Sequence, residues 1–354
     1  MRSSTAQNQT AISNTFLYPL VLKKVGDSVP EPIDKENMLG VLDRFWKQCE
    51  DSLQLGLDIK IEPPVNAIVI AGMGGSARPG EILRAYLGTK MLIYSCRDYA
   101  LPEWANKNTL VFCISYSGNT EETLSAYKDA RKRGCKLICI AEGNKLIEAC
   151  VRDKVPHVRV PSGIQPRDAI GYQTIPILNI LMTSKILPKS ADAVNMIPIL
   201  KRGDKDKARE IARNLLNKIP IFYSSSRMAA LAKIWKININ ENAKCQAFYN
   251  EFPEMNHNEM VGFTHLKGDY YIIMMEDEED HERIKKRMDI TKHLLQKQGC
   301  HVLLLKITGK NRLARIFSTL LLGAYVGYYL ALEYKIDPSP VVMVEEFKKM
   351  LAGK

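Results

Sequence analysis

The chain has 354 residues, a length that fits two domains of about 150 to 180 residues, each with its own hydrophobic core. Hydrophobic residues make up 46% of it and charged residues 25%, without a low-complexity tract, which excludes a largely disordered protein. The net charge is +11, but Lys and Arg are spread along the chain rather than gathered in a basic stripe. We therefore expect no nucleic-acid partner; the charge suits anionic metabolites, or only a soluble surface.

Cysteine usage and apolar runs indicate the compartment. The eight cysteines form no CxxC pair, and several lie in or beside apolar strand-like runs, so we expect reduced, buried thiols. Residues 1–16 lack the apolar core of a signal peptide, which predicts a cytoplasmic protein. Residues 316–332 carry no charge, but their Ser, Thr, Gly and Tyr content favours a buried helix over a membrane span. We expect no membrane partner.

The first half of the chain predicts an arm followed by alternating strands and helices. Residues 1–35 predict an irregular N-terminal arm, and residues 35–57 a helix with Leu42 and Phe45 on its apolar face. Apolar runs then follow at intervals filled by helical stretches: NAIVIAG, KMLIYSC, TLVFCIS, KLICIAE and HVRV. This alternation predicts a parallel sheet in an α/β architecture, which we place in a first domain over residues 36–200.

The same pattern restarts in the second half. A charged connector over residues 201–218 precedes a second domain over residues 219–354. The runs IPIFYSSS, DYYIIMME and GCHVLLLKI predict strands, with helical stretches between them. The order of strand, hydroxyl-rich turn and helix therefore occurs in both halves.

A glycine-rich turn, GMGGSA, follows the first apolar run. Gly74 and Gly75 allow backbone N–H groups to approach an anion at the start of the next helix, and Ser76 adds a hydroxyl. The spacing is neither the GxGxxG dinucleotide fingerprint nor a P-loop. By itself the stretch fits an anion site or an ordinary tight turn.

The stretch SYSGNTEET follows the third apolar run. Ser115, Ser117 and Thr120 place three hydroxyls at the start of a predicted helix, and Gly118 permits an unusual backbone angle. A helix cap alone explains one hydroxyl and the glutamates that follow. Three hydroxyls and a glycine around one turn predict a neutral cradle for a phosphate monoester, held without a metal.

Together these two turns resemble the phosphosugar-binding core of the sugar isomerase (SIS) domain. Three further segments, INENAKCQAFYNEFPEMNHNEMVGF, PSGIQPRDAIGY and the tail DPSPVVMVEEFKKML, are similar to motifs of the bifunctional phosphoglucose/phosphomannose isomerases. The resemblance covers nearly all of the chain after about residue 36. It implies two SIS domains, each a parallel five-stranded sheet flanked by helices. It also implies isomerisation of glucose 6-phosphate, and mannose 6-phosphate, to fructose 6-phosphate through an enediolate, without metal or cofactor.

The resemblance implies roles for side chains outside the two turns. Glu241 is expected to move the proton, and Arg167 to stabilise the enediolate oxygens. His257 is expected to open the sugar ring from the partner subunit, which implies a homodimer with shared active sites. In the tail, Lys348 or its neighbour Lys349 is expected to assist ring opening or binding.

Other interpretations stay open. The acidic residues around His257 also fit a solvated loop, or a metal site that includes Glu254 or Glu259, although no second histidine lies nearby. Ser339 stands where dual-specificity members are expected to have threonine, which leaves the preference between the two hexoses open. SIS folds also serve as non-catalytic phosphosugar sensors, which need the hydroxyl cradle but not Glu241 with His257. An isomerase for another phosphosugar is the enzymatic alternative.

Overall fold

The computed structural model describes residues 33–351 and residue 353. These residues contain two parallel sheets flanked by helices, so the predicted α/β class is confirmed. The N-terminal arm expected over residues 1–35 lies almost entirely outside the described residues. The predicted domain bounds stay predictions.

The first sheet has five parallel strands. They are β1 (Ala67–Ala71), β2 (Ile93–Cys96), β3 (Thr109–Ile114), β4 (Lys136–Ala141) and β5 (His157–Arg159). Their order across the sheet is β2-β1-β3-β4-β5, and each was predicted from an apolar run. Every residue of β1 and β3 is buried, because helices cover both faces of a parallel sheet.

The described part of the first half contains seven α-helices. They are α1 (Met38–Asp43), α2 (Phe45–Ser52), α3 (Arg78–Leu87), α4 (Glu121–Lys132), α5 (Asn144–Asp153), α6 (Ile170–Thr183) and α7 (Asp192–Arg202). The single lead-in helix expected over residues 35–57 is two short helices, because Arg44 leaves the helical conformation between them. Leu42 and Phe45 are both buried, so the predicted apolar face is confirmed.

The second half repeats the layered arrangement with fewer strands. Its elements are α8 (Lys205–Leu215), β6 (Ile219–Ser225), α9 (Ala229–Asn242), β7 (Phe248–Phe252), α10 (Glu259–Gly262), β8 (Tyr270–Asp277), α11 (Glu282–Lys297), β9 (His301–Ile307), α12 (Arg312–Glu333) and α13 (Val342–Leu351). Helix α8 lies within the predicted connector. Within the described residues the sheet order is β7-β6-β8-β9, four strands where five were expected. After β9 the chain forms α12, whose apolar residues enter the core as a helix rather than as a fifth strand.

Helix α12 is the long apolar segment that the sequence left between two interpretations. Its length and composition would suffice to cross a membrane, yet 78% of its most apolar window is buried inside the protein. It packs against α7, α8 and α9, which confirms the predicted core helix. Six of the eight cysteines are buried and all eight are free thiols, as predicted.

Each sheet has one point at which successive strands are added on opposite sides. In the first sheet it lies between β1 and β3, and in the second between β6 and β8. Ligands of open parallel sheets bind in the crevice at such a point, beyond the carboxyl ends of the strands. We call residues 72–78 and 115–121 the first switch point, and residues 224–228 and 277–280 the second switch point. Both predicted turns, GMGGSA and SYSGNTEET, lie at the first.

Candidate active site

The glycine turn of the first switch point lies against the segment that contains Arg167. Gly74–Ala77 form a turn of 3-10 helix ahead of α3, and Gly74 has a φ of +50°. A Cβ atom on Gly75 would lie 2.6 Å from the carbonyl oxygen of Pro166 and 2.7 Å from the backbone nitrogen of Arg167. Glycine at position 75 is therefore required for this close approach, which places the turn beside Arg167.

Ser76 joins the two loops of the first switch point. Its buried Oγ accepts hydrogen bonds from the backbone N–H of Tyr116 at 3.1 Å and from Nε2 of Gln173 at 3.3 Å. A serine hydroxyl has two acceptor lone pairs and one donor proton, so both contacts use acceptor capacity. The proton of Ser76 can still be donated to a ligand.

The three predicted hydroxyls cluster at the amino-terminal end of α4. Ser115 Oγ donates to Thr120 Oγ1 at 2.9 Å and accepts from the backbone N–H of Thr120 at 3.3 Å, and Ser117 lies on the turn between them. Gly118 has a φ of +71°, and a Cβ atom there would lie 1.9 Å from the carbonyl oxygen of Gly143. Only glycine fits this turn. The hydroxyls thus lie where the helix dipole favours an anion.

Arg167 connects the first half of the chain to the second. Its guanidinium is 3% exposed, and Nε donates to Asn242 Oδ1 at 2.9 Å and lies 3.7 Å from Glu241 Oε2. Nη2 donates to the carbonyl oxygens of Pro338 at 3.1 Å and Ser339 at 2.8 Å. The structure therefore brings Arg167, Glu241 and the DPSP segment of the tail together beside the glycine turn.

Two buried charged residues behind Arg167 were missed by sequence reasoning. Arg78 donates from Nη1 to the carbonyl oxygen of Arg167 at 2.9 Å, whereas its Nε and Nη2 have no hydrogen-bond partner among the described residues. Burial lowers the pKa of Arg78 and raises the pKa of Asp168. Arg78 directly follows the glycine turn, but nothing in the local pattern separates a buried arginine from a surface one.

Lys244 is a third missed residue. Its Nζ donates to the carbonyl oxygen of Glu241 at 2.6 Å and to that of Pro338 at 2.9 Å. Partial burial and, to a smaller extent, the positive charge of Arg167 together lower the pKa of Lys244 to about 8. In the sequence, the position of Lys244 three residues after Glu241, in the NENAK segment, could have indicated that it lies near the site.

Two predicted residues are not brought to this cluster. His257 is exposed at the end of the turn Glu254–His257, and Lys348 is exposed on α13, where its Nζ pairs with Glu345 at 2.9 Å. Within residues 33–351, no hydrogen bond or ion pair joins either residue to Arg167 or Glu241. Their proposed roles require a second subunit for His257 and a different position of α13 for Lys348.

The carboxylates near His257 are engaged by other side chains. Glu259 accepts hydrogen bonds from the Tyr223 hydroxyl and the Asn250 amide, and Glu254 accepts from Asn258 at 2.6 Å. Across the part of the chain that the structure describes, no three His, Cys, Asp or Glu residues are grouped to hold a metal ion.

The arrangement combines two chemical capacities in one place. Backbone N–H and hydroxyl groups at the start of α4 can hold an anion, and a partly exposed carboxylate, Glu241, lies beside a buried guanidinium. A carboxylate can move a proton, and a fixed cation stabilises oxygen atoms that gain negative charge in the transition state. Such a pair suits proton transfer next to a carbonyl group.

Comparison with known proteins places this site in a family. The chain is 38% identical over 334 residues to the bifunctional phosphoglucose/phosphomannose isomerase of Caldicellulosiruptor bescii, covering 90% of this chain and 98% of that protein. The chain belongs to the bifunctional phosphoglucose/phosphomannose isomerase family. Residues 204–351 of this family member match the model of the bacterial phospho-glucose isomerase C-terminal SIS domain.

Two further comparisons widen the picture around the family. The D-glucosamine-6-phosphate 4-epimerase of Sulfolobus acidocaldarius is 32% identical over 243 residues, covering 66% of this chain and 76% of that protein. The crystal structure of glucosamine-6-phosphate deaminase from Thermotoga maritima superposes with a TM-score of 0.65 at 14% identity, covering 86% of this chain and 97% of that one. The structural match supports the SIS fold alone.

Proposed function

We propose that this chain is an aldose-ketose isomerase that interconverts glucose 6-phosphate and mannose 6-phosphate with fructose 6-phosphate. The family membership supports the reaction class. The observation that carries the proposal is the placement of Glu241 3.7 Å from the buried guanidinium of Arg167, beside the glycine turn of the first switch point. All eight cysteines are free thiols, the form in which the reducing cytoplasm keeps cysteine side chains. We propose that the enzyme acts in the cytoplasm.

In the proposed mechanism the two loops of the first switch point bind the substrate. Ser115, Ser117 and Thr120 hold the phosphate at the amino-terminal end of α4, while Gly74–Ser76 approach the sugar. Metal ions are not needed for this contact, because neutral donors and the helix dipole supply the attraction. Phosphate binding then fixes the reactive carbons relative to residues of the second half.

Proton transfer is assigned to Glu241. Its carboxylate takes the proton from C2 of the aldose and returns it to C1 through an enediolate, and the reverse step uses the same group. Arg167 stabilises the negative charge that develops on the enediolate oxygens, because its guanidinium is held in place by Asn242 and the tail carbonyls before substrate arrives. Catalysis therefore needs no movement of the cation during the reaction.

A second subunit completes the proposed site. His257 is exposed, and apolar side chains near it in the chain are exposed too: Phe248 on β7 at 50% and Val261 on α10 at 65%. Exposed apolar surface next to a functional residue is typical of an interface. We propose that a homodimer covers this surface and brings the partner's His257 to the sugar, where it opens the ring.

The principal test is an assay with each hexose phosphate in buffer that contains a chelator. Wild-type protein should convert fructose 6-phosphate to glucose 6-phosphate and mannose 6-phosphate. Glu241→Gln should lower kcat by about 100- to 10,000-fold, the range for loss of a general base, with fructose 6-phosphate binding retained. Glu62→Gln, at an exposed glutamate without a hydrogen bond in the described residues, is the control. Binding without turnover by the wild type would instead favour a phosphosugar sensor.

The shared site is tested by mixing subunits. Inactive Glu241→Gln and inactive His257→Ala chains should regain part of the activity when mixed, because one of the two sites in a mixed dimer has both residues intact. If subunits exchange and no activity returns, His257 acts within its own chain or not at all.

A further inference from the structure

The tail of the chain is held between two cations. The carbonyl oxygen of Pro338 accepts hydrogen bonds from both Arg167 Nη2 at 3.1 Å and Lys244 Nζ at 2.9 Å. The same ammonium group donates to the carbonyl oxygen of Glu241 at 2.6 Å. Lys244 therefore links the main chain of the proposed base directly to the tail that Arg167 also contacts.

The helix end that contains Glu241 explains how Lys244 reaches these carbonyls. Helix α9 ends at Asn242, Ala243 is its C-cap, and Lys244 follows with a φ of +57°. The last carbonyl groups of a helix lack intrahelical partners and attract a cation. Lys244 folds back and satisfies the Glu241 carbonyl, which restrains the final turn of α9 and with it the Glu241 side chain.

We propose that Lys244 is a positioning residue of this active site, which fixes Glu241 relative to Arg167 and the tail and adds positive charge beside them. This inference rests on the proposed role of Glu241. Lys348 lies exposed on α13 and pairs only with Glu345 among the described residues, and its expected role in ring opening or binding stays a prediction.

Charged groups around Lys244 make its contribution depend on pH. Burial and Arg167 disfavour the ammonium form, Asp337 of the tail and Glu241 favour it, and the resulting pKa is about 8. The ammonium is therefore charged below pH 8 and becomes a neutral amine above it. Because a neutral amine donates weaker hydrogen bonds and adds no positive charge, activity should fall as pH rises through about 8.

The test compares kcat and KM for fructose 6-phosphate between pH 6 and 9.5 in wild type, Lys244→Met and Lys244→Arg. Lys154→Met is a matched control, because Lys154 is an exposed lysine at the end of α5 with a similar φ of +55° and no side-chain hydrogen bond in the described residues. Lys244→Met should lose about 10- to 100-fold in kcat/KM, as expected for loss of a charge-assisted hydrogen bond, mainly through kcat. The control should match wild type.

The pH profile separates positioning from a purely structural role. Wild type should show an alkaline decline near pH 8 that is absent in Lys244→Met; in Lys244→Arg it should move above pH 9.5, because arginine stays protonated there. Lys244→Arg should also recover part of the rate. The proposal is overturned if Lys244→Met keeps the wild-type kcat/KM, or if either variant retains the decline near pH 8. Should Lys244→Met fail to fold, the profile of Lys244→Arg decides. A wild type without turnover would overturn the proposed function together with this inference.

Discussion

The two switch points share one topology and differ in what lies between their loops. At the first, the two loops contain glycines and the hydroxyls of Ser76 and Ser115, and no ion pair joins these loops in the described residues. At the second, charged side chains contact one another across the crevice. The same strand topology therefore carries uncharged hydrogen-bond donors at the first switch point and a network of ion pairs at the second.

Arg315 is the centre of the network at the second switch point. It is 2% exposed, and its three nitrogens all have anionic partners: Nε lies 2.8 Å from Asp277 Oδ2, Nη1 2.7 Å from Glu278 Oε1 and Nη2 2.6 Å from Glu279 Oε1. Arg78, the buried arginine of the first switch point, donates only to a backbone carbonyl. Arg315 therefore uses its guanidinium for ion pairs within the protein, whereas Nε and Nη2 of Arg78 have no hydrogen-bond partner in the described residues.

Ser225 shows the same difference at the level of one hydroxyl. It donates to Asp280 Oδ1 at 2.5 Å, and Asp280 also accepts from Arg227 at 3.2 Å and from the backbone N–H of Asp277 at 2.9 Å. A substrate phosphate would meet carboxylates already buried in this crevice. Topology creates the crevice in both halves, whereas the residues decide which one can hold an anion, so we place one substrate site in each chain.

The largest expected effect comes from breaking the network. Arg315→Met removes a buried cation that pairs with three carboxylates and leaves the fully buried Asp277 with Arg227 as its remaining counter-charge, so the free energy of unfolding should fall by about 3 to 5 kcal/mol. Urea unfolding followed by circular dichroism measures it. Arg152→Met, at a 69% exposed side chain, is the control and should unfold at nearly the same urea concentration as wild type. A loss below about 1 kcal/mol for Arg315→Met would mean that the network does not stabilise the second half.

A pair of serine variants sharpens the comparison directly. Ser115→Ala should raise KM for fructose 6-phosphate about tenfold, equivalent to about 1.4 kcal/mol, since the hydroxyl that holds Thr120 in place at the proposed phosphate site is lost. Ser225→Ala should leave KM unchanged and lower the free energy of unfolding by about 1 to 3 kcal/mol, because Asp280 loses a buried donor. Steady-state kinetics measure KM for both variants, and urea unfolding measures their free energies of unfolding. Equal KM values for the two variants would contradict the assignment of the phosphate to the first switch point.

Local patterns predicted the strands of the first half because apolar residues dominate each run, most completely in β1 and β3. Strand β7, residues 248–252, was missed because it is an edge strand: Phe248 and Tyr249 are exposed, and Asn250 and Glu251 interrupt the apolar pattern. The second sheet has no fifth strand among residues 33–351, since the apolar residues after β9 follow helical spacing in α12. The apolar pattern therefore predicts a strand where apolar residues dominate the run, and misses one such as β7 where polar side chains interrupt it.

For the site, local contacts were predictable and distant ones were not. The contact between Ser115 and Thr120 joins residues five apart and follows from the turn itself. Arg167 meets Asn242 and Ser339 across 75 and 172 positions of chain, and no pattern within one segment encodes these distances. The family resemblance named Arg167 and Glu241, but the contacts of Arg78 and Lys244 depend on how the two halves and the tail pack.

The smallest expected effect concerns pH and Glu279, at the rim of the second switch point. Burial acts to raise its pKa, but hydrogen bonds from Arg315 and Arg312 outweigh it and lower the pKa of Glu279 to about 2. The stabilisation from a carboxylate with a lowered pKa is complete above its unfolded-state value near 4.3 and disappears as pH falls toward the folded-state value. Glu279→Gln should therefore be less stable than wild type at pH 7, by under about 1 kcal/mol because the side chain is partly exposed.

Urea midpoints at pH 7, 5, 4 and 3 measure this dependence. The difference between wild type and Glu279→Gln should be constant from pH 7 to 5 and should shrink below about pH 4.3, as the unfolded chain begins to bind a proton that the folded carboxylate still rejects. Glu62→Gln should show no such trend, because Glu62 has no ion pair in the described residues. A difference that grows on acidification would mean that Glu279 is protonated more easily in the folded protein. The arginines of the second switch point would then not be neutralised by its carboxylates, and that crevice would remain able to attract an external anion.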